Sequence, residues 1–488
     1  MSDETTGRAR GPERPNIVWI MADDMGYGDV GCFNPESKIP TPNMDRLAAE
    51  GTRFTDAHST AAVCTPSRYS VLTGRYCWRT RLKRGVFGGF ALPLIEPDRP
   101  TIASVLKAQG YATACVGKWH VGLGWTTRDG DTGPWDDWGP EALDDGFNID
   151  YTAPLWGGPN ELGFDYFFGI AGSLDMRPYC FIENDHTVGL PDVEKDLYHP
   201  QQRRGPMVRG WDDALVDTTF AQKATAWLED HVAREPEQPF FLYLPTSAPH
   251  RPCVPPAWAR GASSAGPRGD MVSLFDWIVG QVLDALERAG VADQTLIFVT
   301  SDNGAQRADV DGNTYGHKSC GDWRGYKADI WEGGHREPFI ARWPGRVPAG
   351  ASCDQTVCLG DLTATAADLL GVGLPEDAAE DSYSILPALL GDESAGPIRE
   401  ATVHHSWDGC FSLRRGPWKM ILGLGSGGFT EPRHLEPEPD GPEGQLYHME
   451  EDPAETNNLW QDRPEVVAQM KDILQSYRSE GRSAPPAE

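Results

Sequence analysis

Two short polar strings follow apolar runs in a way that suits a hard metal ion. Asn16 to Met21 has the pattern of a buried strand, and Asp23 and Asp24 come just after it; Leu296 to Val299 runs likewise into Asp302, Asn303 and Gly304. Adjacent carboxylates repel one another unless a cation sits between them, and hard oxygen donors favour calcium or magnesium. Either string alone reads as a solvated turn, and it is their pairing that points to a metal site. A third string, Cys64-Thr65-Pro66-Ser67-Arg68 continuing to Leu72-Thr73-Gly74-Arg75, places a thiol before a proline suited to a first helical turn. Cys64 is therefore expected at a helix N-terminus, where free N–H groups and the dipole favour an anion. Lys118 and His120 lie two apart, so an extended chain points both to one face, a cation beside a titratable imidazole. His250 follows the strand-like Phe240 to Leu244 and the turn-like Ser247-Ala248-Pro249, and Lys327 lies upstream of Glu332-Gly333-Gly334. Each of these last two alone reads as an ordinary surface residue. Together the types describe a hard-cation site beside groups suited to an anion.

These residues need elements to position them. Short β-branched and apolar runs alternate with helix-like segments, the pattern of an α/β fold whose mostly parallel central sheet is sandwiched by helices. Strands are expected at Asn16 to Met21, Tyr111 to Val116, Phe240 to Leu244 and Thr295 to Thr300. Helices are expected at Met44 to Ala49, Thr101 to Ala108, Asp213 to Val232, Asp270 to Ala289 and Asp361 to Leu370. Most of the chemical candidates then fall beyond strand carboxyl ends, where open α/β sheets place ligands. Gly122 to Gly163 reads as an ordered surface insertion near the site mouth, or as a decorative loop. A Pro- and acid-rich passage through Pro397 suggests a boundary. Beyond it, Ala401 to Trp407 and Phe411 to Leu422 read as strands of a small antiparallel unit closed by a helix near Glu465 to Ser476. The expected organisation is a tail over 1–14, a catalytic domain over 15–395, a smaller subdomain over 396–480 and a tail over 481–488. Gly423 to Gly428 superficially has the look of a phosphate-binding loop, but no strand-to-helix unit surrounds it.

Composition narrows the partners. The 488 residues are 39% hydrophobic and 24% charged, as in soluble enzymes, and 72 acidic against 43 basic residues give a formal charge of −29. Such a field repels nucleic-acid phosphates and anionic lipid heads, so neither is an expected partner. It also repels an anionic substrate, which requires cations to be concentrated in the pocket. Met1 to Arg14 carries no apolar core of a signal peptide, and no stretch nears the roughly 18 apolar residues of a membrane span. A cytoplasmic location is the resulting expectation, with non-standard export left open. The ten cysteines show no CxxC pairs, so reduced thiols are expected.

Cys64 to Arg75 resembles the signature of the sulfatase family, and Gly110 to His120 resembles that family's second signature. Gly163-Phe164-Asp165, Leu446-Tyr447, Asp452-Pro453 and Asn458-Leu459 extend the resemblance from Pro15 to about Leu459. One departure is Gly334-His335-Arg336-Glu337-Pro338, where many relatives carry a small or aliphatic residue for His335 or Glu337. The resemblance implies an alkaline-phosphatase-like fold with a small C-terminal antiparallel sheet, and sulfuric ester hydrolysis. It implies that Cys64 is oxidised to formylglycine by a formylglycine-generating enzyme, and that one Ca2+, with Mg2+ the lesser option, is held by Asp23, Asp24, residue 64, Asp302 and Asn303. It further implies that the hydrated aldehyde is the nucleophile, held by Arg68. Lys118 and Lys327 would stabilise the sulfuryl oxygens, and His250, with Lys327, would protonate or stabilise the leaving oxygen. His120 would take the proton whose loss regenerates the aldehyde. The expected substrate is a small sulfate ester, a sulfated sugar ahead of a simple aryl sulfate. Asp175, Arg177 and His405 are further candidates as outer contacts. Two alternatives remain: a formylglycine-dependent phosphonate or phosphate ester hydrolase, and a non-catalytic calcium-stabilised binding module. The oligomeric state is not legible.

Overall fold

The computed structural model describes residues 14–130, 146–197, 202–307, 315–392, 394 and 396–485. The expected 1–14 tail therefore lies almost wholly outside the described residues, as does the middle of the expected 122–163 insertion. The strands are β1 (Asn16–Ala22), β2 (Thr52–Phe54), β3 (Ala57–His58), β4 (Ala112–Lys118), β5 (Tyr166–Ile170), β6 (Ile182–Glu183) and β7 (His186–Thr187). They continue as β8 (Pro191–Glu194), β9 (Pro206–Val208), β10 (Phe240–Pro245), β11 (Thr295–Ser301), β12 (Phe339–Arg342), β13 (Ala351–Cys353) and β14 (Val357–Cys358). The last four are β15 (Thr402–His405), β16 (Phe411–Arg415), β17 (Trp418–Ile421) and β18 (Gln445–His448). Helices α1 to α4 span Pro42–Glu50, Cys64–Thr73, Ile102–Ala108 and Val216–Arg234. Helices α5 to α8 span Gly266–Arg288, Leu362–Leu370, Leu386–Leu389 and Pro464–Ser479.

Ten strands form one sheet in the order β13-β2-β12-β11-β1-β10-β4-β5-β6-β7. Its centre, β11-β1-β10-β4-β5, is parallel throughout, so five carboxyl ends open on one edge. At one flank β12 alone runs the other way, antiparallel both to β11 and to β2, which returns to the central direction. The seven residues of β1 are all buried, because both faces are covered. Alternation then sorts them: Ile17, Trp19 and Met21 join the core under α2, α3 and α6, while Val18, Ile20 and Ala22 join the core under α1, α4 and α5. A separate four-stranded antiparallel sheet, β15-β16-β17-β18, packs with α8 around Leu413, Met420, Leu446, Met470 and Leu474. Phe411 to Leu422, read as strand, is thus a hairpin of β16 and β17 turning at Gly416 (φ +51°). No helix among the described residues is long and apolar enough to cross a membrane.

The expected elements occur with small shifts. Tyr111 precedes rather than begins β4, which runs on to Lys118, and α5 starts at Gly266, four residues before the expected Asp270. The Gly423 to Gly428 stretch follows β17 and leads into no helix, so it has no βα setting. Residues 481–485, expected as tail, are tied down: Ser483 and Ala484 N–H groups donate to the Glu380 carbonyl at 3.0 Å.

Local chemistry fixes the approach to β4. Thr101 caps α3, its hydroxyl accepting from the Ser104 N–H (3.1 Å) and donating to the Leu162 carbonyl (2.6 Å), while Ser104 Oγ accepts from the Thr101 N–H (2.9 Å). Replacing Thr101 with Ala removes the cap and strands the Leu162 carbonyl. A loss of about 1–2 kcal/mol is expected, read as a lower urea midpoint with unchanged slope. An unchanged midpoint would show that the box contributes nothing.

Candidate active site

The parallel sheet edge brings together side chains that are far apart in the chain. β1 delivers Asp23 and Asp24, β11 delivers Asp302 and Asn303, β4 ends at Lys118 with His120 two residues on, and the turn after β10 carries His250. Helix α2 points its N-terminus into the same place. Cys64 is its first residue, and Cys64 Sγ stands 3.4 Å from Asp23 Oδ1 and 3.4 Å from Lys327 Nζ. All ten of the residues singled out from the sequence for catalysis or metal binding are buried here: Asp23, Asp24, Cys64, Arg68, Lys118, His120, His250, Asp302, Asn303 and Lys327. Pro66 sits in the first turn of α2, as its ring geometry favours.

Charge of both signs interleaves at short range. Lys118 Nζ lies 2.5 Å from Asp23 Oδ2, Lys327 Nζ lies 2.6 Å from Asp24 Oδ1, and Arg68 Nη2 lies 2.7 Å from Asp302 Oδ2. Arg68 also donates through Nη1 to the Lys118 carbonyl at 2.9 Å, tying α2 to the end of β4. Burial would raise Asp24, but Lys327 and His250 beside it hold it below the ordinary carboxylate range. Asp302 goes the other way, raised to about 6 by burial and by the negative charge of Asp23, with Arg68 opposing. Burial lowers Lys327, yet Asp24 and its neighbours more than compensate and keep it protonated. Burial, with the Asp23 charge, pushes the Cys64 thiol far above its usual value, so the unmodified side chain is a poor nucleophile.

The two imidazoles have assigned faces. The His120 ring is hydrogen-bonded through Nε2 to the Phe87 carbonyl at 2.7 Å, so Nε2 carries the proton, and buried Nδ1 has no protein partner. Burial, then Lys118 and Arg68, holds its pKa well below the usual imidazole value. His250 Nδ1 donates to the Arg251 carbonyl at 2.7 Å, leaving Nε2 at 3.6 Å from Asp24 Oδ2; burial and Lys327 lower its pKa to about 3. Both rings are neutral at pH 7.

Several of these positions are held in strained backbone. Asp24, His120 and Ala328, the neighbour of Lys327, have φ of 69°, 58° and 78°. Left-handed conformations at non-glycine residues cost of order 1–3 kcal/mol each and concentrate at functional sites. Gly304, beside Asn303, can be nothing larger, since a Cβ would lie 1.8 Å from the Gly333 carbonyl oxygen.

The donor set fits a divalent cation. Asp23, Asp24, Cys64 and His250 offer ligand atoms within 4.8 Å of one another. Asn303 Nδ2 donates to Asp24 Oδ1 at 2.7 Å, whereas its carbonyl Oδ1 is buried and unpartnered. A buried acceptor without a donor, next to carboxylates crowded enough to raise Asp302, is the environment a hard cation would satisfy.

Sequence reading did not single out Asp217, Asp29 or Arg268 as supports. Asp217 Oδ1 accepts the Ser247 and Ala248 N–H groups at 2.8 and 3.3 Å, fixing the turn that carries His250. Arg268 donates to the Asp24 carbonyl at 2.7 Å and to Asp29 Oδ2 at 2.7 Å. All three act through tertiary contacts, for which the local sequence holds no pattern. Of the suggested outer contacts, Asp175 is buried with Oδ1 unpartnered, and His405 is buried with both ring nitrogens unpartnered. Arg177 donates to the Arg204 carbonyl at 3.0 Å. A second cluster, His58, His335 and His404, also has nitrogens within 4.8 Å of one another. His335 and His404 are stacked with planes 9° apart, so their in-plane lone pairs do not converge on one metal.

Comparison with known proteins points to one family. The profile of the family described as Sulfatase matches residues 15–372. An N-acetylgalactosamine-6-O-sulfatase of Bacteroides thetaiotaomicron is 33% identical over 96% of this chain and 94% of its own length. Human arylsulfatase A is 32% identical, covering 83% of this chain and 74% of its own. A solved B. thetaiotaomicron structure, described as a 6S-sulfatase from the metabolism of multiple glycosaminoglycans, superposes with a TM-score of 0.81 at 31% identity. It covers 96% of this chain and 100% of that one.

If these oxygens hold a cation, adding Ca2+ to chelator-stripped protein raises the melting temperature, by the equivalent of about 2.7 kcal/mol at a hundredfold excess over Kd. The isosteric Asp302→Asn variant loses most of that shift. A wild-type melt indifferent to Ca2+ and Mg2+ alike would count against the site.

Proposed function

This chain belongs to the sulfatase family and is a sulfuric ester hydrolase, and from that premise we propose that it removes sulfate from a carbohydrate, using a formylglycine made from Cys64 and one calcium ion. A sulfated hexosamine of the N-acetylgalactosamine 6-sulfate type is the proposed substrate class. Support comes from the B. thetaiotaomicron relative whose name carries that sugar and that position, and from the solved structure described as a 6S-sulfatase, both matched along nearly their whole length. The single observation that carries the mechanism is the convergence of Cys64 Sγ on Asp23 and Lys327 at 3.4 Å, at a helix N-terminus whose thiol lies within 4.8 Å of ligand atoms of Asp23, Asp24 and His250.

Asp23, Asp24, Asp302 and the Asn303 carbonyl would hold the cation, with the oxygen of residue 64 as a further ligand. Bound together, the cation and the oxidised side chain supply a nucleophilic oxygen near neutral pH and a positive centre facing the sulfuryl group. The remaining work falls to the chain's own groups. Lys118 and Lys327 present ammonium groups to the sulfate oxygens in a pocket whose burial strengthens their attraction. Arg68, fixed between Asp302 and the Lys118 carbonyl, keeps the first turn of α2 in register with the strand ends. Lys327, held protonated by Asp24, is the ready donor to the leaving oxygen, with His250 Nε2 beside the same carboxylate. His120, donating through Nε2 to Phe87, has its Nδ1 lone pair open to take a proton. Three buried cations also answer the earlier requirement for local positive charge in a chain of −29.

Asn303 favours the sulfatase reading over the phosphonate or phosphate alternative, whose members tend to carry His at that position. Protein co-produced with a formylglycine-generating enzyme is expected to release sulfate from N-acetylgalactosamine 6-sulfate and to turn over 4-nitrophenyl sulfate faster than 4-nitrophenyl phosphate. Cys64→Ala is expected to lower kcat/KM about a thousandfold or more, and His120→Ala by about 10^2 to 10^4. Mass spectrometry of the residue 64 peptide checks the modification, and a thiol persisting in active protein would overturn it. Hydrolysis of aryl sulfate with no turnover of any 6-sulfated sugar would remove the carbohydrate assignment.

A further inference from the structure

Beside the catalytic site, and separate from it, a cleft of about 560 Å³ runs between the catalytic domain and the small antiparallel sheet, lined by Arg75, Trp78, Arg79, Lys83, Arg84 and Arg478 among others. Five cations face one cleft, with Asp408 the one carboxylate in its lining, in a protein whose formal charge is −29. Such a concentration against the molecule's own field focuses anions. Two of the cations are structural. Arg79 is ion-paired with Asp381 at 2.7 Å and lies 4.2 Å over the Trp78 ring, and Arg75 lies 3.1 Å from Glu380. The rim is different. Lys83, Arg84 and Arg478 are exposed, and none of them has a carboxylate partner among the described residues. Lys83 Nζ donates to the Trp78 carbonyl at 2.7 Å, and Arg478 lies over the Phe411 ring at 5.4 Å. Asp408 is occupied by His434 at 2.9 Å and Arg433 at 3.4 Å. The Trp78 ring that lines the cleft is buried under the Arg79 guanidinium and edge-on to Phe411, which gives the cationic rim a rigid floor.

The cleft is connected to the reaction site by short covalent and hydrogen-bonded paths. Arg84 is three residues from Phe87, at most about 11 Å of chain. The Phe87 N–H donates to Thr65 Oγ1 at 3.1 Å, next to Cys64, and its carbonyl holds His120. Gly85 N–H donates to the Trp407 carbonyl, and Trp407 N–H donates to the Ala328 carbonyl, the neighbour of Lys327. Arg84 therefore stands one short segment away from the groups that would hold the scissile sulfate.

We propose that this cleft is a second anion subsite, which binds a sulfate or carboxylate group on a neighbouring sugar of the same glycan chain whose terminal sulfate ester occupies the catalytic site. The inference rests on the carbohydrate sulfatase reading and extends it from a single sugar to a polyanionic oligosaccharide. Rim cations at exposed positions give modest, salt-sensitive attraction, so the effect of the cleft is on capture of long substrates rather than on the chemical step.

The test compares N-acetylgalactosamine 6-sulfate with a chondroitin 6-sulfate hexasaccharide in the wild type and in the Arg84→Ala/Arg478→Ala double variant. Neither arginine belongs to the catalytic machinery, and both are exposed, so folding is preserved. The proposal expects kcat/KM on the hexasaccharide to fall about fivefold to tenfold, mainly through KM, with the monosaccharide changed less than twofold. Arg84→Lys/Arg478→Lys should restore most of the loss, and 0.5 M NaCl should abolish the difference between wild type and double variant. Equal effects on both substrates, or no effect on either, would overturn it. Calorimetric binding of the hexasaccharide to the Cys64→Ala protein is read independently of turnover. If the wild type hydrolyses neither sugar, the carbohydrate reading fails, while weaker hexasaccharide binding in the Cys64→Ala/Arg84→Ala/Arg478→Ala variant than in Cys64→Ala still supports the cleft and unchanged binding removes it. Should millimolar inorganic sulfate bind the cleft while hexasaccharide affinity is unaffected by the arginines, the site serves free anion and the glycan proposal is wrong.

Discussion

Three carboxylates, Asp23, Asp24 and Asp302, share one pocket from which water is excluded, and the arrangement around them follows from that. Like charges at this depth cannot remain ionised together without compensation, since burial alone disfavours each. Lys118, Lys327 and Arg68 supply the compensation at 2.5 to 2.7 Å. The residual imbalance is visible in Asp302, which stays raised to about 6, and in the unpartnered Asn303 carbonyl. A divalent cation would satisfy both at once. The same crowding keeps the Cys64 thiol protonated, which explains why a residue at a helix N-terminus, ordinarily an activating position, would need oxidation before it could act.

Holding such a pocket requires rigid supports from every side. The five parallel strands provide it by ending at one edge, and the functional groups occupy the first few residues beyond those ends. Positive φ at Asp24, His120 and Ala328 shows that the loops are bent away from their preferred conformations to aim these groups. Arg268 braces the Asp24 carbonyl and Asp217 braces the His250 turn, so the strain is balanced by buried hydrogen bonds rather than by flexible loops.

A second buried polar network lies behind the first and accounts for the unusual His335. His58 Nε2 is 3.0 Å from Asp56 Oδ1, His58 Nδ1 is 3.1 Å from His335 Nδ1, and His335 Nε2 is 3.1 Å from Lys419 Nζ. Despite its burial, Asp56 is held far below the ordinary carboxylate range by Arg336 and His58, so it accepts, His58 donates to it, and His335 donates in turn to His58. Lys419 completes the chain and pairs with Glu455 at 2.9 Å and Glu332 at 3.2 Å. The Ser59 N–H donates to the His335 carbonyl, joining this network to the segment that leads into Cys64. A small or aliphatic residue at 335 would leave the His58 ring and Lys419 each short of a partner.

The sequence by itself determined the central strands, the helix that begins at Cys64 and the ten polar residues of the site. The strands, the carboxylates and Cys64 were legible because apolar runs mark buried strands and the strand-end and Cys64 to Arg75 patterns are local, whereas Lys118, His120, His250 and Lys327, unremarkable alone, stood out through the family resemblance. The Asp217 and Arg268 braces, the His58 to Lys419 network and the cation-lined cleft at Arg84 and Arg478 were decided only by the tertiary structure. Arg84 and Arg478 are separated by nearly the whole chain, and each alone is an ordinary surface cation. Whether a charge is compensated or left open depends on which distant residue folds against it, and no periodicity along the backbone records that distance.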